Sequence, residues 1–168
     1  KPYPLVHRSI KDLINEGFVI KDKHNLLSLN YNANHSNLAY IESLRKQEFL
    51  EKNKTVDLFV KDALTATKLN YFTLLIFGSW AENKQRKNSD IDLLVIIENK
   101  KDINKFEKIL DNISSNFRLH FHCNVISSGS VHEMLAKRDE ANVMNETLDK
   151  HILIFGAENY YRLLKNAR

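Results

Sequence analysis

The sequence predicts an α/β (α+β) protein, a small mixed β-sheet flanked by helices, with a short helix and hairpin in front of it. From residue 71 onward, apolar runs of strand length alternate with segments whose apolar residues recur every three or four positions. Residues 37–69 carry helical spacing almost throughout. A chain of 168 residues with 43% hydrophobic content has room for one good core and a small appendage.

The elements follow in chain order. Val6, Ile10, Leu13 and Ile14 recur at helical spacing, Gly17 is the stop, and His7, Arg8 and Lys11 fall on the polar side. "FVI" and "LLSL" are strand-like runs around "KDKHN", which has turn chemistry and more lysine. Helix, strand, basic turn, strand resembles the closing half of a winged helix-turn-helix, with the wing at Lys21 to Asn25 and without the two helices that precede it in that motif. The alternative is a helix-hairpin that props the next domain. "NYNANHSN" reads as a polar linker. "LAYIESLRKQEFLEKN" and "TVDLFVKDALTATKLN" read as helices, the second with Thr55 and Asp57 as capping candidates. "YFTLLIF", "DLLVII" and "RLHFHCNVI" read as strands, "DINKFEKILDNISSNF" as the helix before the third of them, and Val131 to His151 as one long helical stretch. "ILIFG" and the helix "AENYYRLLKN" close the chain. The expected division is 1–32 partial winged helix-turn-helix, 33–54 linker helix and 55–168 main domain.

Several function classes are disfavoured. The single cysteine, Cys123, allows no internal disulfide and no cysteine zinc site of its own. A buried small hydrophobe in a reducing, cytoplasmic setting is the expectation. No apolar run approaches a membrane span, and the opening Lys1-Pro2-Tyr3-Pro4 is unlike a signal peptide; the missing initiator methionine suggests a trimmed or partial chain. A net charge of +4 suits phosphate-bearing partners without requiring nucleic acid.

The chemistry concentrates in "FGSWAENKQRKNSDIDLLVII". On a strand, residues two apart share a face, so Asp90 and Asp92 are expected to point together while Ile91 enters the core. Carboxylates about 5 Å apart repel by about 3 kcal/mol at an effective dielectric of 20. A cation between them is expected, and magnesium (Mg2+) suits hard oxygen ligands shared with a substrate's phosphates. Gly78 and Ser79, at the end of the preceding strand, offer close backbone approach and a hydroxyl donor, with helix-start N–H groups completing an anion cradle. Solvated aspartates at an exposed strand end are the bland alternative.

Strand, Gly-Ser, ten residues and then Asp-x-Asp on a strand resembles the DNA polymerase β nucleotidyltransferase superfamily. "FGSWA" and "NSDIDLLVI" are similar to the signature of the minimal nucleotidyltransferases of archaea and bacteria, over about residues 55 to 164. The upstream segment resembles the winged helix that precedes such a domain in some archaeal proteins, and "FGAENYYRLL" their C-terminal ending. The resemblance implies the nucleotidyltransferase fold, with Gly78 and Ser79 holding the triphosphate and Asp90 and Asp92 ligating Mg2+. It also implies attack of a hydroxyl on the α-phosphorus with loss of pyrophosphate.

Two departures from that pattern stand out. Where members carry Arg-Gly or Lys-Gly a few residues after Gly-Ser, this chain has Glu82 and Asn83; asparagine tolerates the left-handed turn. Lys84 and Arg86 remain to meet phosphates, or form a solvated loop. Active members place a third carboxylate on the later strand. Here Leu119, Phe121, Cys123 and Val125 are expected on one face and Arg118, His120, His122 and Asn124 on the other, with no acid on either. His122 or Asn124 is left for that position, and His120 with His122 also invites a transition-metal reading. Trp80 is open to stacking on a base or packing against the next helix.

Three functions follow as expectations. The first is Mg2+-dependent transfer of a nucleotidyl group from an NTP, ATP first, to a hydroxyl acceptor. The second is a degenerate nucleotide sensor that binds DNA through Arg8, Lys11 and Lys23. The third is an antitoxin-like partner of a small helical protein. A homodimer is compatible with the long helices, and no membrane association is expected.

Overall fold

The computed structural model describes residues 3–30, 35–67, 71–137 and 139–166. The expected polar linker falls partly outside them, at residues 31–34, and Lys1 and Pro2 fall wholly outside.

Helix α1 (Tyr3–Asn15) leads into a two-stranded antiparallel hairpin, β1 (Val19–Lys21) and β2 (Leu27–Leu29). Gly17, at φ +78°, ends α1 as expected: Phe18 N–H donates to the Leu13 carbonyl and Gly17 N–H to that of Ile14, the paired bonds of a left-handed cap. In the hairpin turn, Asp22 Oδ1 accepts from the N–H groups of His24 and Leu26, both at 2.8 Å, and Asn25 takes φ +64°.

Helices α2 (His35–Lys52) and α3 (Lys54–Thr67) follow. Thr55 and Asp57 do not cap α3, because the helix already starts at Lys54. Asn53 stands before it and accepts the Asp57 N–H through its carbonyl, while Asp57 pairs with Lys61.

The central sheet contains β3 (Phe72–Phe77), β4 (Ile91–Ile97), β5 (Phe121–Ser127) and β6 (Ile152–Phe155) in the order β5-β4-β3-β6. β4 and β5 run parallel and the other pairs antiparallel, so the sheet is mixed as expected. Alternation splits its side chains between two cores. Leu74, Ile76, Ile91, Leu93 and Val95 pack beneath α3 and α5 (Ile103–Ser114), with Phe59, Phe106 and Leu110. Leu75, Phe77, Leu94 and Ile96 pack on the other side against α6 (Ser128–Ala136), α7 (Val143–Asp149) and α8 (Ala157–Asn166), with Val131, Met144, Tyr160 and Leu164. Burial on both faces explains why β3 and β4 read as unbroken apolar runs.

The single helix expected from Val131 to His151 is two helices. Asn142 Oδ1 caps α7 through the Asn145 N–H at 2.9 Å, while Asn142 Nδ2 donates to the carbonyls of Met134 and Lys137 near the end of α6. One asparagine thus satisfies both helix ends at the break.

Candidate functional site

β3 ends at Phe77, and Gly78 and Ser79 open the one-turn helix α4 (Gly78–Ala81), one step beyond the strand end expected for them. Four residues build too little aligned dipole to attract an anion, so any phosphate binding here falls to individual N–H groups and the Ser79 hydroxyl. The antiparallel register sets Phe77 opposite Asp92, which brings Gly78 to the level of the acids. Gly78 has φ +65°, and a Cβ placed on it would lie 2.7 Å from Asp92 Oδ2. The left-handed backbone therefore favours glycine, and a Cβ here would also push the Asp92 carboxylate from its place.

Asp92 is the second residue of β4 and shares the face of Leu94 and Ile96, while Ile91 is fully buried among the opposite core. Asp90 precedes the strand and is exposed. The strand therefore holds one acid and the loop in front of it carries the other. The expectation that both ride on the strand is corrected to that extent.

Parallel pairing sets His122 level with Asp92 and Asn124 level with Leu94. Of the two third-ligand candidates, His122 is the one brought to Asp92, its Nδ1 3.4 Å from Asp92 Oδ1. Phe121 and Cys123 point the other way, packed on the core under α3 and α5. Burial pushes the Cys123 thiol up to about 12, with Asp111 adding to the effect, so Cys123 is an inert small hydrophobe.

The loop after α4 is tied down locally. Asn83 takes φ +55°, the left-handed turn expected of it. Lys84 Nζ pairs with Glu82 at 2.5 Å, and Lys150, from the joint between α7 and β6, reaches the same carboxylate at 3.6 Å. The hydrogen bond from Lys84, with the charge of Lys150 in support, holds the Glu82 carboxyl below its usual range. Lys84 is thus engaged by Glu82, while Arg86 is exposed. Lys150 was not among the sequence candidates, and no local signal marked it, since only the fold brings it beside Glu82. Trp80 packs against the core, and its Nε1–H donates to the Ser89 carbonyl at 3.2 Å. Packing rather than an open stacking face describes its surroundings. Arg8, Lys11 and Lys23 are exposed on α1 and the hairpin turn, distant in sequence from this corner.

The donor set fits a magnesium ion. Two hard carboxylates suffice for a cation that keeps water and substrate phosphate oxygens as its other ligands. Among the described residues no three His, Cys, Asp or Glu side chains group into an all-protein metal cage, which leaves the transition-metal reading of His120 and His122 without a third ligand. A separate cleft of about 380 Å³, lined by Tyr71, Phe72, Ile97, Ser128 and Arg162 among others, opens at the opposite end of β3 and β4. It contains neither aspartate, and the close approach of the Gly78 turn to Asp92, rather than concavity, identifies the candidate site.

The family model described as "Polymerase beta, Nucleotidyltransferase" matches residues 47–158, more than half of the chain. The chain belongs to this nucleotidyltransferase family. The match runs from within α2 to the first turn of α8 and includes every residue of the Gly78–Asp92 corner. A search of curated proteins finds no match to the chain. The family supports a nucleotidyltransferase-type function for this polymerase beta-type domain, and no helix among the described residues is long and apolar enough to cross a membrane.

Proposed function

We propose that this nucleotidyltransferase moves a nucleotidyl group from an NTP, with ATP as the first candidate, to a hydroxyl acceptor in a magnesium-dependent reaction. The observation that carries the reading is the abutment of Gly78 and Asp92, which joins the Gly-Ser turn and the acidic strand into one corner. In this reading Asp90 and Asp92 hold the ion, and Gly78 and Ser79 take the triphosphate through backbone N–H groups and the Ser79 hydroxyl. Magnesium, when bound, neutralises charge on the phosphates. The acceptor oxygen bonds to the α-phosphorus, the bond to pyrophosphate breaks, and the acceptor's proton is released to water. Lys84 meets the phosphates only by leaving Glu82, and Arg86 reaches them from the same loop.

Incubation with each α-labelled NTP and Mg2+, alone and with cell extract, tests the reading. Label transfer is expected from the parent chain and loss of at least a hundredfold from Asp90→Asn/Asp92→Asn, consistent with the weight of charge stabilisation in phosphoryl chemistry. Equal transfer by both proteins would sink the assignment of these acids.

A second reading, a nucleotide sensor without catalysis, is favoured by the histidine that stands level with Asp92 in place of an acid. The exposed Arg8, Lys11 and Lys23 would then contact DNA phosphates as part of a winged helix, with binding that weakens steeply in salt. An antitoxin-like pairing with a small helical protein is compatible with the same loss of catalysis.

A further inference from the structure

We propose that Trp80 is a positioning residue: its indole N–H fixes the peptide unit that leads into Asp90, and so sets where that carboxylate stands relative to the Gly78–Ser79 turn. The inference rests on the reading of this corner as the nucleotide site. It starts from a mechanical problem. Asp92 is held by strand pairing on both sides, to Phe77 and to His122. Asp90 lies before β4, exposed, at the end of a loop running from Glu82. Two carboxylates serve one cation only when both stand within a fraction of an ångström of the required geometry.

On its far side Asp90 is anchored by its neighbour, since Ile91 N–H donates to the His120 carbonyl at 2.9 Å. On its near side the anchor is Trp80. The Ser89 carbonyl, which accepts the indole N–H, belongs to the same planar peptide unit as the Asp90 nitrogen. Fixing that oxygen fixes the Asp90 backbone as well. Ser89 is itself braced, its hydroxyl accepting from Arg86 N–H at 2.9 Å and its N–H donating to the Arg86 carbonyl at 3.0 Å. The other end of the clamp is rooted, because the Trp80 ring packs on the core beneath the sheet. Trp80 also follows Ser79 directly, so a single residue spans the phosphate turn and the acid loop. Indole offers one donor and no acceptor, and neither phenylalanine nor tyrosine places an N–H there.

The test compares Trp80→Phe with the parent chain by amide hydrogen exchange and by Mg2+-ATP binding. Phenylalanine keeps an apolar ring for the core and deletes the donor. The expected result is faster exchange at Arg86 and Ser89 with unchanged protection in β3 and β4, and Mg2+-ATP affinity lower by about threefold to tenfold, the range of one hydrogen bond. The magnesium requirement should rise in parallel. A role in packing alone would lower protection throughout the sheet and leave the loop no more affected than the core. Loop exchange and affinity both at parent levels would overturn the proposal. If the parent chain binds no nucleotide, the nucleotide reading falls by itself, and loop exchange alone decides whether Trp80 is a clamp. Should the phenylalanine variant fail to fold, the benzothienyl analogue of tryptophan substitutes sulfur for the N–H in the same ring shape. With one tryptophan in the chain it enters at this site only.

Discussion

At His151 a ring is held between α2, α7 and α8 with one nitrogen committed. Its Nδ1 lies 2.6 Å from the Thr147 carbonyl, which can only accept, so Nδ1 carries the proton, and the buried Nε2 finds no hydrogen-bond partner among the described residues. Burial holds this histidine below its ordinary range, against the opposing pull of the Thr147 bond and the Glu42 charge. A histidine depressed in the folded state gives stability that is present above the unfolded value, about 6.5, and is lost as pH falls below it, because the unfolded chain then binds the extra proton. Unfolding free energies from urea denaturation are therefore expected to fall between pH 7.5 and 5.5, by at most about 1.4 kcal/mol per pH unit from this group. His151→Gln should flatten that slope; an unchanged slope would remove His151 as its source. The sequence marked the acids and Gly78 because Gly-Ser and Asp-x-Asp are short, local patterns, and it offered His122 beside Asn124 from the alternation of the later strand. Nothing local distinguished His151, whose surroundings come from three elements far apart in the chain.

At the scale of elements, α2 is fastened by a buried charge. Glu42 is 4% exposed, accepts from Tyr161 Oη at 2.8 Å and takes Arg45 Nη1 on both carboxylate oxygens. Arg45 Nη2 donates onward to the His151 carbonyl at 2.7 Å, so one carboxylate connects α2, α8 and the start of β6. Burial, with Glu42 beside it, pushes the Tyr161 phenol above its usual range. Glu42→Ala removes the carboxylate that Tyr161 Oη donates to and loosens Arg45, and is expected to cost about 2–4 kcal/mol by urea denaturation. Glu42→Gln keeps an acceptor for Tyr161 and should cost less; equal losses would mean that volume, not hydrogen bonding, matters here. The helix itself was legible from apolar spacing, but a buried glutamate adds nothing to that spacing and so the α2–α8 contact was not. The break between α6 and α7 was missed for a related reason. Apolar spacing continues across it, and only the two-sided bonding of Asn142 ends one helix and begins the next.

Across the whole molecule, burial is unevenly shared. β3 and β4 are almost wholly buried, whereas α1 buries no residue and leaves Leu5 56% exposed. Segments with few buried apolar groups open at little free-energy cost. Amides of α1, β1 and β2 are expected to exchange by local opening, orders of magnitude faster than those of β3 and β4, which should exchange only with global unfolding. Equal protection in both regions would show that α1 is covered in solution by something outside the described residues. The mixed sheet flanked by helices was legible because strand-length apolar runs alternate with helical spacing, whereas the division into two cores comes from the alternation seen in the fold. The placement of Trp80 at the phosphate turn has an optical consequence. Six tyrosines are spread along the chain but the indole is single. Light absorbed at the red edge of the protein band therefore excites this one ring, and the emission of the entire molecule is a reading taken a residue away from Ser79, beside the candidate catalytic corner.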